Sequence, residues 1–159
     1  MTLIKEDGSQ VANANTYVSD LEYTTYAAAR GLTVGIDAAT REIELIKAMD
    51  FIESHRDVFK GIKTNYNQAL QYPRSDVYID GYSTGSDTIP DALKNAQIEA
   101  AASTIDLLKT GDSQNIQKEK VGDIEVSYFS GGSFETARSE RVNIHLDILI
   151  NSNKMVIRV

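Results

Sequence analysis

Gln68-Ala69-Leu70-Gln71-Tyr72-Pro73-Arg74, then a polar tyrosine-rich stretch, then Thr88-Ile89-Pro90-Asp91-Ala92-Leu93-Lys94-Asn95-Ala96: these two segments decide the fold. The second predicts a helix start. Thr88 is placed to cap it, Pro90 falls in the first turn, and Asp91 lies three residues after the cap, near the positive end of the helix dipole. The helix is expected to run from about Ile89 to Thr110 and to stop at Gly111. Its Ala96, Ala100 and Ala101 form a thin face that lets another helix approach closely. The first segment reads as a fixed turn. Pro73 locks its own backbone and biases Tyr72 towards an extended conformation. Such a turn is expected to present its side chains rather than to fill a core.

Upstream, Ser19-Asp20-Leu21-Glu22 is a capping box, which predicts a first helix from about Ser19 to Arg30 ending at Gly31. Asp37 or Thr40 starts a second helix to about His55. Its Leu45, Met49 and Ile52 recur at spacings of four and three, with Ile46 beside them. Residues 1–18 read as extended or looped. Residues 57–87 lack sustained periodicity and carry Pro73, Gly81 and Gly85, so they are expected to form a long ordered loop, an uncommon feature in a compact domain.

Downstream, Val121 to Phe129 alternates as a half-buried strand does, and Ser130-Gly131-Gly132-Ser133 reads as a turn. Val142, Ile144, Leu146, Ile148 and Ile150 alternate like a strand, yet the length also suits a short helix. An apolar end, Lys154 to Val159, follows Asn151-Ser152-Asn153. The expectation is one mainly α domain over 1–159. It is a small bundle of three to four helices with a short β element, extended termini and a C-terminal tail at 152–159.

The chain has 159 residues, long enough to bury a core without staples. Its 16 basic and 23 acidic side chains give a formal charge of −7. That balance weighs against a free-standing nucleic-acid binder, which carries a basic footprint. There is no cysteine, hence no disulfide framework, thiolate zinc site or cysteine nucleophile. No run approaches the ~20 apolar residues of a membrane span, and no signal-like segment opens the chain, so a cytoplasmic origin is expected.

The search for chemistry finds little. His55 and His145 are the only histidines, and no H-x-x-x-H or H-E-x-x-H spacing exists. His145-Leu146-Asp147 reads as a solvated pair rather than part of a triad. No nucleophile elbow, P-loop or dinucleotide glycine pattern appears. Asp76, Asp80 and Asp87 flank Gly81 but do not fit a calcium loop. No enzyme, metal or cofactor is expected. Two features point to binding instead. Tyr66, Tyr72, Tyr78 and Tyr82 cluster in the long loop, where they either stack on bases or pack on the domain or a protein partner. Arg56, Lys60, Lys63 and Arg74 face only Asp57 over that stretch, so Arg56, Lys60 and Lys63 are candidate DNA-facing residues.

Taken together, the chain resembles the head–tail connector proteins of tailed bacteriophages, in particular the subfamily labelled DnaT-like single-stranded DNA-binding protein. Five segments carry the resemblance, and their order and spacing matter more than any one of them. They are Glu6-Asp7-Gly8 through Ala14-Asn15-Thr16-Tyr17-Val18-Ser19, Gln68 to Arg74, Ile89-Pro90-Asp91-Ala92-Leu93-Lys94, Glu119 to Tyr128, and Val156-Ile157-Arg158. Tyr72 stands where relatives often have tryptophan. The resemblance implies a short helix at Val142 to Ile150. It implies a structural virion protein that assembles in the host cytoplasm, typically as a ring of twelve copies below the portal protein. That ring extends the channel through which packaged DNA passes without sequence-specific binding, and docks the next neck or tail protein. Tyr72, Pro73, Arg74, Met155, Val156, Ile157 and Arg158 are the candidate subunit or portal contacts, with no membrane involved. The rival reading is a single-stranded DNA-binding or replication-accessory protein.

Overall fold

The computed structural model describes residues 2–103, 118–121, 124–127 and 134–151. Four helices and six short strands alternate along them. In chain order they are α1 (Asp20–Arg30), α2 (Ala38–Glu53), β1 (Ile62–Lys63), β2 (Arg74–Ser75), β3 (Tyr78–Ile79), β4 (Tyr82–Ser83), α3 (Asp91–Ala101), β5 (Lys118–Val121), β6 (Ile124–Ser127) and α4 (Phe134–Leu146). The strands pair as three antiparallel two-stranded ladders, β1–β2, β3–β4 and β5–β6. The expected mainly helical bundle is therefore corrected to a mixed architecture. The cause is local. Residues 57–87 offer no helical stripe, so their backbone groups pair across short ladders and turns. Asp76, Asp80, Gly61 and Gly81 take the positive φ angles those turns require.

Helix α3 is the centre. It packs on both α2 and α4, and more lightly on α1. The reason is the small-residue face read in the sequence: Ala96, Ala100 and Ala101 are all buried, and Leu93 and Ile98 flank them. The start of α3 differs from expectation. The Thr88 hydroxyl lies 3.5 Å from Asp87 and caps nothing. Pro90 occupies the cap position, where its carbonyl accepts the N–H groups of Leu93 and Lys94, and no side chain caps the helix. The helix ends at Ala101, short of the expected Thr110. Residues 104–111 lie outside the described ones.

Helix α1 matches its sequence signature. The Ser19 hydroxyl accepts the Glu22 N–H, Glu22 Oε2 accepts the Ser19 N–H at 2.7 Å, and Gly31 closes the helix at φ 63°. Helix α2 starts after Asp37, whose carboxylate accepts the Thr40 N–H, and buries Leu45, Ala48, Met49 and Ile52. In α4 the choice between helix and strand is settled by burial. Val142, Leu146 and Leu149, spaced by four and three, are buried, whereas Ile144 and Ile148 are exposed. Past the helix, Ile150 pairs with Phe59 in an isolated bridge. Strand β6 falls inside the expected 121–129 strand, and residues 128–133 lie outside the described ones.

The N-terminal stretch is held rather than loose. Lys5 and Thr16 form a bridge, and the Glu6 N–H donates to the Thr16 carbonyl at 2.8 Å. Gly8 (φ 104°) backs onto the Asp87 carbonyl so closely that any Cβ would collide with it.

Candidate interaction surfaces

The 68–74 turn is built from the inside. Gln68 is buried, accepts the Asn65 N–H and donates to the carbonyls of Leu70 and Pro73. The Tyr72–Pro73 peptide is cis. The Tyr72 ring is 1 % exposed and meets Phe59 edge-on at 5.4 Å between centroids. Its N–H donates to the Tyr17 hydroxyl, and that hydroxyl donates to Glu53 at 2.9 Å. Both oxygens of Glu53 also accept the Gln71 N–H. Burial pushes the Glu53 carboxyl above its ordinary pKa, and these donors only partly offset that.

Arg74 is 7 % exposed. Its guanidinium donates to the carbonyl of Lys60 at 2.8 Å, to that of Gly61 at 2.7 Å and to Gln71 Oε1 at 3.0 Å. The expectation that this turn presents its side chains is thus corrected. Tyr72, Pro73 and Arg74 are all buried in their own chain, and the planar guanidinium, with its fork of donors, gathers three acceptors from two neighbouring segments.

The candidate DNA-facing residues divide. The Lys60 ammonium donates to the Ile148 carbonyl at 2.7 Å, and the Lys63 ammonium to the Gln68 carbonyl at 3.1 Å. Arg56 is exposed, with Asp57 at 3.9 Å. Met155, Val156, Ile157 and Arg158 lie outside the described residues. Of the four loop tyrosines, only Tyr72 is buried; Tyr66, Tyr78 and Tyr82 are 92 %, 57 % and 80 % exposed. Among the described residues no three His, Asp or Glu side chains converge in a way that could hold a metal ion. No helix among them is long and apolar enough to cross a membrane.

Two features escaped sequence reading. The first is a buried polar knot. Gln97, fully buried on α3, accepts the Tyr17 N–H and donates to the Thr16 hydroxyl and the Leu45 carbonyl. A glutamine amid alanines carries no periodicity signal that would announce it. The second is an open groove of about 530 Å³ between α1 and α3. Leu21, Ala29 and Ile98 line it, together with the charged Glu22, Arg30, Asp91 and Lys94. The Arg30 guanidinium lies 3.5 Å over the Tyr26 ring, whose hydroxyl donates to Glu99. Nearby, burial pushes the His145 imidazole below its ordinary pKa, with Glu99 pulling it up and Arg30 down.

A family model described as "Putative DnaT-like ssDNA binding protein" matches residues 1–159, the whole chain, and the chain belongs to that family. No curated protein and no solved structure matches it.

Proposed function

We propose that the chain is a structural head–tail adaptor of a phage virion, the role implied by its resemblance to the connector proteins. It works by contact, without catalysis, as a ring below the portal protein that extends the DNA channel and docks the next neck or tail protein. The observation that carries this reading against its rival is the fate of the basic stretch. Arg74 is buried with its donors on backbone carbonyls, and Lys60 and Lys63 each turn one donor to a carbonyl of their own chain, which thins the track that phosphates would follow. The formal charge of −7 suits a channel wall past which DNA slides. Large apolar side chains left exposed, such as Leu21, Ile36, Ile62 and Ile144, suit protein contacts.

Binding of single-stranded DNA is the second reading. The family's description favours it, as do the exposed rings of Tyr66, Tyr78 and Tyr82, since each base offers a π-face to stack. Fluorescence anisotropy with a labelled oligonucleotide separates the two. The adaptor reading expects no useful affinity at ~0.15 M salt. Sub-micromolar binding that weakens steeply with salt overturns it, because that is the signature of released counterions. Incorporation of the purified chain into portal-bearing, tail-less particles is the positive test.

A further inference from the structure

Where the N-terminal stretch meets the segment before α3, one buried oxygen has no partner. Gly8 lets the two backbones close, since a Cβ there would lie 1.7 Å from the Asp87 carbonyl oxygen. Beside that contact is a cleft of about 290 Å³. Glu6 and Ile89, both buried, form its floor, and the exposed Asp7, Asp87 and Thr88 form its rim. Glu6 is 0 % exposed. Its Oε1 accepts the N–H groups of Gly8 at 2.8 Å and Gln10 at 2.9 Å, whereas Oε2 has no hydrogen-bond partner. A carboxylate oxygen taken out of water without a donor is costly, and one kept in a native fold calls for a reason.

The charges of the cleft select a cation. The carboxylates of Glu6, Asp7 and Asp87 line it against the ammonium groups of Lys5 and Lys94. Both lysines are engaged by acids outside the cleft: Lys5 with the two oxygens of Glu22 at 2.6 and 2.7 Å, and Lys94 with Asp91 at 3.0 Å. The Ser9 hydroxyl and N–H donate to Asp7, which holds its carboxyl below the usual pKa and keeps it charged. The donor set is poor for a metal, because no three carboxylates among the described residues converge on one point. A guanidinium suits it better. Its five N–H donors, spread over a plane, suffice for Glu6 Oε2, the Thr88 hydroxyl and a rim carboxylate, and it gives up water more readily than an ammonium. We propose that this cleft receives the guanidinium of an arginine presented by a basic partner protein. The inference rests on the contact-protein reading and gives it a docking point. A second copy of this chain is a poor source, since each carries −7 and two such copies repel, whereas the same charge draws a basic partner in. A phosphate backbone is turned away by the same carboxylates.

The probe is the Nα-acetyl amide of arginine, titrated into the isotope-labelled full-length chain and followed by NMR. The amides of Gly8 and Gln10 report on the site, because both donate to Glu6. Saturable shifts with a Kd on the order of 1–10 mM are expected, the range for one side chain. The matching glutamine derivative, which carries no charge, should give none. Glu6→Gln keeps an oxygen for Gly8 and Gln10 and should weaken the arginine probe about 10-fold or more. Asp87→Asn, on the exposed rim, should weaken it about 3-fold and carries the test if Glu6→Gln does not fold. Shifts that fail to appear by ~50 mM probe, or that are the same in these variants, overturn the site and leave the adaptor reading to particle incorporation. Calcium chloride that saturates the same resonances at a lower concentration than the arginine probe overturns it too, by making the cleft a metal site.

Discussion

At the scale of single residues, Arg74 shows how burial changes the meaning of a motif. Read as sequence, an arginine after Tyr-Pro looks like something held out for a partner. In the structure it stitches the 60–61 strand lead to the 71–74 turn through three hydrogen bonds. Its removal would leave the partly buried carbonyls of Lys60 and Gly61 without these donors, and unsatisfied groups shielded from water cost more than the bonds were worth. Arg74→Ala is therefore expected to lower the stability of the isolated chain by about 2–4 kcal/mol. Arg74→Lys should recover little, since one ammonium cannot reproduce the planar fork. Urea denaturation of the three proteins checks this; an Arg74→Ala chain as stable as wild type would return the residue to the interface candidates. Glu22 gives a pH counterpart. Burial alone would raise its pKa, but the Lys5 ammonium at 2.6 Å and the Ser19 N–H and hydroxyl outweigh that and hold it at about 2, below an ordinary 4.5. A depressed carboxyl stabilises the fold above the unfolded value and loses that contribution as pH falls through the folded one. The stability gap between wild type and Glu22→Gln should be full above pH ~4.5 and close towards pH ~2. Thermal melts across that range measure it, and a gap that widens in acid would contradict it.

Single elements were legible where a local rule decides them and opaque where a distant contact does. The start and end of α1 could be read because a capping box and a left-handed glycine are written within a dozen residues. The start of α3 was misread at Thr88 because Pro90, fixed near the polyproline conformation, already takes the cap position and moves the hydroxyl out of reach. The four tyrosines could not be sorted by pattern. Tyr72 is buried because Phe59 and the Tyr17 hydroxyl wait for it, and both lie more than ten residues away in sequence. Gln97 is the sharpest case. Its amide joins the N-terminal stretch, α2 and α3, and no spacing rule singles it out. Gln97→Leu keeps the volume but strands the Tyr17 N–H in an apolar setting and removes the tie to the Leu45 carbonyl. It is expected to cost about 2–4 kcal/mol, against less than about 1 for a substitution at the exposed Asn143 on α4. Chemical denaturation of both variants tests the contrast. Equal losses would show that the knot holds nothing together.

At the scale of the whole molecule, net charge separates the two functions by sign. Each copy carries a formal −7. A chain of this length has a radius of gyration of about 15 Å, so touching copies sit roughly 38 Å apart centre to centre. Two such charges at that distance repel by about 5 kcal/mol in water before screening. Exposed ion pairs contribute roughly 0.2–1 kcal/mol each. The repulsion between whole molecules is therefore the larger electrostatic effect, and it acts at long range. Screening removes it first, because the Debye length shrinks from about 30 Å at 0.01 M salt to about 8 Å at 0.15 M. Apolar contacts between copies are left intact by that change. Self-association should accordingly strengthen as salt rises over this range. Binding to DNA phosphates must do the opposite, since each contact releases counterions into a solution already rich in them. Sedimentation velocity at the two salt concentrations, run beside anisotropy with single-stranded DNA, reads both signs in one preparation. Association that grows with salt while DNA binding stays undetectable supports the ring. Association that collapses with salt would mean that charge pairs hold the copies together, and would contradict an apolar contact between them.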